Sequence, residues 1–267
     1  MFVWKEKLTV KEEIDKITLL DATTRGSNRR AVGLVPAPKG DDANREISEA
    51  KKLRYQQLLI NIEGKQSTCC IKIFSPKRKS RSALLTFRGR VLGCVYGRKE
   101  LESQLINYDA FEQFQDDISV PESIVDTYIL PENLALAAGS LFHGDVFHQP
   151  ANSNADETFR FVYSNLVKTQ MPGCIVLKRM GSDEVLSFIY MFGGEVIGVY
   201  TFTDGWLESS YQQALDLVEG RITTVVSASK LNACNIEEVH DMTFSLTGID
   251  RGFTYHPAAL SYNNSAI

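Results

Sequence analysis

The chain has 267 residues, of which 43% are apolar, 10% aromatic and 23% charged, and its formal net charge is −4. Its 14 Phe and 10 Tyr exclude intrinsic disorder over the whole length. A pI near 5.7 argues against a nucleic-acid binder that relies on overall positive charge. No run of 18 apolar residues occurs, so no membrane span is expected. The first seven residues lack the basic-then-apolar layout of a signal peptide. Five Cys without metal-type spacing suit a reducing compartment. A cytoplasmic location is the expectation.

In chain order, residues 1–40 read as a separate piece. Thr9 to Glu12 resembles a capping box, and Ile14, Ile17 and Leu20 form an apolar stripe after it. Residues 23–40, rich in Gly and Pro, read as a linker or arm. The spacing of Ile47, Ala50, Leu58 and Ile62 predicts a helix over 42–62, with Asp41 or Asp42 as cap. A strand at 70–74 and a hairpin of strands 83–87 and 91–96 follow. Leu101, Leu105, Phe111 and Phe114 suggest a helix over 99–114, and Pro131 can open another to about 138. Residues 149–157 read as a linker. Beyond it come a helix at 157–168, a strand at 174–177, a hairpin of 185–192 and 196–200, a helix at 205–218 stopped by Gly220, and a strand at 222–226. The tail after Gly252 reads as irregular.

Three ordered matches point to an internal duplication. Residues 70–73 match 174–177, 87–93 match 192–198, and 101–103 match 207–209, at offsets of 104, 105 and 106 residues. The expected architecture is therefore α+β: an N-terminal piece at 1–40 and two tandem modules at 41–150 and 151–267. Each module would hold a helix, a small antiparallel sheet with a tight hairpin, and following helices. Arg88-Gly89 and Gly193-Gly194 sit where a two-residue type I′ turn needs positive φ at both central positions. Gly93 and Gly198 fall inside the next strand, where glycine marks a bulge or a close backbone approach.

Charge is unevenly placed. From Lys65 to Lys99 there are ten basic residues and no acidic one; from Glu100 to Phe159 there are twelve acidic residues and no Lys or Arg. The cations Lys77, Arg78, Lys79 and Arg81 fall in the loop between strands. They are the candidate partner-binding residues, facing an acidic partner or the chain's own 100–159 segment. If so, replacing all four with Ser leaves folding intact and slows association.

Patterns for chemistry are weak. His143, Asp145 and His148 could offer metal ligands, but their spacing fits no familiar site. Cys69-Cys70 has no nearby Cys pair, and Cys70, Cys94 and Cys174 lie in apolar strands, as small core residues do. No Gly-x-Ser-x-Gly elbow occurs, and the glycine pairs sit in hairpins rather than opening helices. Arg25 and Arg29 have the Arg-x-x-x-Arg spacing of PilZ-type nucleotide receptors without that family's companion motif. No catalytic residue, cofactor or metal is assigned.

The order of helix, short strand, Phe-x-Gly-x-Val hairpin and helix resembles the PATAN domain of bacterial signalling proteins. Phe87 to Val91 and Phe192 to Val196 look like its turn, and Thr68 to Ile71 and Pro172 to Ile175 like its strand entry, with Cys69 where the family has Gly and Gly173 keeping it. Each copy covers about 60 residues. The resemblance implies a non-enzymatic, protein-binding regulatory module in signalling that controls motility or development. The alternatives are an enzyme of unrecognised family, or a nucleotide or small-molecule sensor using the cleft between modules.

Overall fold

The protein is described by a computed structural model at residue 36 and residues 44–47, 52–101, 103–150, 153–182, 184–219, 223–233 and 236–248. It is a mixed α+β chain, with six helices and two antiparallel sheets among those residues. The first sheet contains β1 (Asn44–Ile47), β2 (Cys69–Ser75), β3 (Ser80–Phe87), β4 (Arg90–Arg98), β5 (Leu105–Ile106) and β6 (Ile124–Ile129). The second contains β7 (Asp145–His148), β8 (Gly173–Arg179), β9 (Val185–Phe192), β10 (Glu195–Thr201), β11 (Gly205–Trp206) and β12 (Thr224–Lys230). A last strand, β13 (Phe244–Ser245), returns to the first sheet. The helices are α1 (Lys52–Gly64), α2 (Asn107–Ile118), α3 (Glu132–His143), α4 (Ala155–Thr169), α5 (Tyr211–Asp216) and α6 (Ile236–Asp241).

Strand order is β1-β6-β2-β3-β4 in the first sheet, where β5 and β13 share the outer edge of β4. In the second it is β7-β12-β8-β9-β10-β11. Both hairpins turn as local chemistry requires: φ is +49° and +80° at Arg88-Gly89, and +59° and +82° at Gly193-Gly194. Each following strand bulges, at Leu92 and at Ile197, next to the expected glycines. A Cβ on Gly93 would lie 2.4 Å from the Phe142 ring, and one on Gly198 would lie 2.7 Å from Trp206. Both glycines thus serve close approach as well as the bulge.

Three apolar layers order the molecule. On the outer face of the first sheet, Tyr55, Leu59 and Ile62 of α1 and Phe111 and Phe114 of α2 cover Ile71, Ile73 and Leu84. On the outer face of the second, Phe159, Val162 and Leu166 of α4 and Ala214 and Leu215 of α5 cover Ile175, Ile189 and Val199. A fully buried ring such as Phe114 or Phe159 contributes about 2–3 kcal/mol. Between the sheets runs α3. Its Leu134, Ala135, Ala137 and Ala138 share one core with Leu85 and Leu92 of the first sheet and Val176 and Phe188 of the second. Small side chains let both sheets approach the same helix.

Several elements differ from the sequence expectations. Residues 44–47, expected as helix, form a strand on β6, and the helix begins at Lys52. The pairing of Asn44 to Ile47 with Thr127 to Ile124 outweighs a weak helical spacing. Residues 105–106, expected inside a helix, pair with Tyr96 and Val95, so α2 starts only at Asn107. Likewise Gly205 and Trp206 pair with Thr201 and Tyr200. The helix then begins at Tyr211, capped by the Ser210 hydroxyl, which accepts from Gln213 N at 3.2 Å. Strand β7, ahead of the expected boundary at 150, belongs to the second sheet. The helix near residue 9, the arm at 23–40 apart from Pro36, Gly220 and the tail after Gly252 lie outside the described residues.

Candidate functional site

The basic loop joins β2 to β3 and sits over the acidic end of α2. Lys77 Nζ lies 3.1 Å from Glu122 Oε1. The Arg78 guanidinium donates to Gln113 Oε1 at 3.0 Å and lies 3.1 Å from Asp117 Oδ1 and 3.6 Å from Asp116 Oδ2. Arg81 lies over the Phe74 ring at 5.0 Å, and burial lowers its guanidinium pKa. Lys79 is exposed at φ +52°. Of the two acidic surfaces the sequence allows, Lys77 and Arg78 thus face the chain's own.

Asp117 makes this contact structural. Its side chain is fully buried, and the Ser80 hydroxyl donates to Oδ2 at 2.5 Å. Burial pushes its carboxyl pKa up, opposed by Ser80 and Arg78. On the same sheet face the hydroxyls of Ser75, Ser82 and Tyr96, and that of Ser123 just before β6, are buried without a protein hydrogen-bond partner. Removing Arg78 would leave a buried carboxylate uncompensated. This geometry sets Arg78 apart from the other three cations, where the sequence expectation treats all four alike.

Reactive side chains are spent in packing. Cys69, Cys70, Cys94 and Cys174 are buried free thiols. Burial pushes the Cys70 thiol up to about 12 and raises the other three. None is a thiolate at neutral pH. Lys72 pairs in register with Asp126 across β2 and β6, with its Nζ 5.6 Å from the Tyr128 ring, and burial lowers its pKa. His143 Nε2 donates to the Leu92 carbonyl at 2.7 Å, and burial lowers its pKa, so the ring is neutral at pH 7. Asp145 instead accepts from the Asn232 amide. Among the described residues no group of three His, Cys, Asp or Glu is placed to hold a metal ion.

A second feature escapes sequence reasoning. Residues 243–247 form a strap on the outer edge of β4. Phe244 and Ser245 pair with Val91 and Arg90. Arg90 Nε donates to Thr243 Oγ1 at 2.8 Å, and another guanidinium nitrogen donates to the Thr243 carbonyl at 3.2 Å. The Ser245 and Thr247 hydroxyls donate to the two Glu63 carboxylate oxygens at 2.7 and 2.5 Å. Phe244 packs on Tyr108 and Phe111, with ring centroids 5.8 and 5.4 Å away, and Leu246 is fully buried in the same core. The available signal was alternation: Phe244 and Leu246 alternate with Thr243, Ser245 and Thr247, as a half-buried strand requires.

No protein-family model matches the chain, and no match was found among curated proteins or solved structures.

Proposed function

We propose that the chain is a tandem pair of one PATAN-like α+β module and acts as a non-enzymatic interaction or adaptor protein in the bacterial cytoplasm, in signalling or motility regulation. The duplication is supported by element order. Each half runs strand, helix, three strands, a two-residue edge strand, helix, strand, helix, and each edge-to-edge order is the same. The observation that carries the binding role is apolar surface at a sheet edge. Phe161 of α4 is 60% exposed and packs beside Phe147 of the edge strand β7, at 5.5 Å between ring centroids, while Val146 of β7 is 56% exposed. Rings left in solvent beside an edge strand suit a protein partner.

Affinity capture of the full chain from its native host, compared with Phe161→Asp, tests this. The expected result is a stoichiometric partner that the variant loses. Capture of no macromolecule, with turnover of a small molecule instead, would overturn it. A sensor role draws on one observation. Tyr200, Phe202 and Trp206 are half-buried beside the inter-sheet core, with Tyr200 5.4 Å from each of the other two rings. A small-molecule panel that shifts Trp206 fluorescence would favour that reading.

A further inference from the structure

The β4 edge is filled by the chain's own strap, whereas the matching edge of β10 carries no strand among the described residues at Glu195 and Val196. Counted from the two hairpin turns, Glu195 stands where Arg90 stands and Val196 where Val91 stands. Gly89 faces Glu63 at the end of α1, and Gly194 faces Val167 at the end of α4, so Val167 takes the place of Glu63. Accessibility follows the strap. Val91 is fully buried, while Val196 is half-exposed and Glu195 is exposed. Beside them Tyr163 and Tyr211 lie 4.5 Å apart between ring centroids, half-buried. Tyr163 also senses the Glu195 carboxylate, which adds to the rise in its pKa that burial begins.

We propose that this β10 edge is a docking site for an extended segment of a partner protein, laid on Glu195 and Val196 as the strap is laid on Arg90 and Val91. The proposal rests on the protein-binding reading above, but concerns the opposite edge of the second sheet from β7, and names the chemistry of the segment docked there. Charge and polarity at the two edges are opposite. Arg90 donates to Thr243, so Glu195 calls for a donor there, an Arg or Lys. Glu63 accepts from the Ser245 and Thr247 hydroxyls, so Val167 calls for an aliphatic side chain where Thr247 stands. An apolar residue between them meets Val196, Tyr163 and Tyr211. The partner segment is thus basic and apolar, and it adds to the sheet edge by backbone pairing.

The probe is a labelled synthetic peptide with the sequence of residues 240–248 carrying Thr243→Arg and Thr247→Val, titrated with the full chain by fluorescence anisotropy. The unsubstituted peptide is the comparison. The substituted peptide is expected to bind at least about tenfold more tightly, as one charge-assisted contact can supply. Glu195→Arg, an exposed change that circular dichroism should show to be folded, is expected to reverse that order. Equal binding of both peptides, no binding at millimolar peptide, or an unchanged order in Glu195→Arg would overturn the proposal. So would a concentration-dependent dimer that Glu195→Arg abolishes, because the occupant would then be a second copy of this chain. If Glu195→Arg still captures the natural partner, this edge is wrong and the binding-module reading stands. If no macromolecule is captured by either form, the reading itself falls.

Discussion

The two hairpin tips have the same turn and the same bulge, yet one is buried and the other is not. Phe87 is 4% exposed and Phe192 37%. A Cβ on Gly89 would meet the Glu63 carbonyl oxygen at 2.8 Å, and one on Gly194 would stay 3.2 Å from that of Val167. The loops before them differ in the same sense. Arg78 faces a buried carboxylate, whereas Arg179 pairs with Glu184 in solvent. Even the hydroxyls diverge. Ser187 donates to the Tyr200 carbonyl and Thr201 accepts from Asp204 N, while their counterparts Ser82 and Tyr96 have no protein partner. One backbone plan thus supports a tip locked by the rest of the chain and a tip left open.

The largest expected effect breaks the likeness of the turns. Gly89→Val should cost about 3–4 kcal/mol, the sum of a left-handed β-branched residue and a backbone clash. Gly194→Val should cost about 1–2 kcal/mol, from the backbone strain alone. Urea unfolding of both variants measures the gap, and equal losses would mean that Gly89 is no tighter than Gly194.

Next comes the strap. Phe244→Ala should cost about 2–3 kcal/mol, below the roughly 3–5 kcal/mol of truncating a fully buried Phe, cavity included, because Phe244 is only partly enclosed. Phe192→Ala, at the open tip, should stay within about 0.5 kcal/mol. Similar thermal shifts in the two variants would deny the strap its role.

Arg78→Ala should cost about 2 kcal/mol at neutral pH, below the full value for a broken buried pair because the guanidinium remains 23% exposed. Arg179→Ala should change stability by no more than about 0.5 kcal/mol. The deficit of Arg78→Ala should depend on pH. A carboxyl whose folded pKa is raised contributes its stability in full below the unfolded carboxylate range, and loses it as pH rises through the folded pKa. Without Arg78 that folded pKa rises further. The variant should be close to wild type in acid and fall behind toward neutrality; a pH-independent deficit in calorimetry would remove Asp117 from the explanation. Smallest of all, Lys79→Gly should gain about 0.5 kcal/mol by relieving positive φ, and a loss there would show that the Lys79 side chain has a contact of its own.

What could be read from residues alone was what residues decide locally. Gly89 and the Gly193-Gly194 pair marked the two turns and Gly93 and Gly198 the two bulges, because positive φ and close approach favour glycine. The helix expected at 157–168 was legible in extent, but its cap was not, since Asn154, which accepts from Glu157 N at 2.7 Å, fell in the expected linker, and its buried face is Phe159, Val162 and Leu166. Edge strands were not legible. β1, β5, β11 and β13 have two to four residues each, too short for a period; β1 and β13 take their identity from a strand far along the chain, and β5 and β11 from the strand just before them. The basic loop was half legible. Its charge named an acidic target, and the chain's own helix was one of two, but only the ladder placing β3 under α2 brings Arg78 to Asp117. The strap's alternation was present at Thr243 to Thr247 and gave no sign of which sheet it would join.

That strap sets a timetable for synthesis. Glu63 and Thr247 are 184 residues apart, and the hydrogen bond between them closes a loop around most of the molecule. As the chain leaves the ribosome, β4 is finished early but keeps an unpaired rim at Arg90 and Val91 until residues 243–247 emerge. Long-range closure of this kind is slow relative to local pairing, and a nascent sheet rim is open to other strands meanwhile. The first half is thus translated first and completed last, so the interval before residue 247 appears is when this protein is most exposed to mispairing.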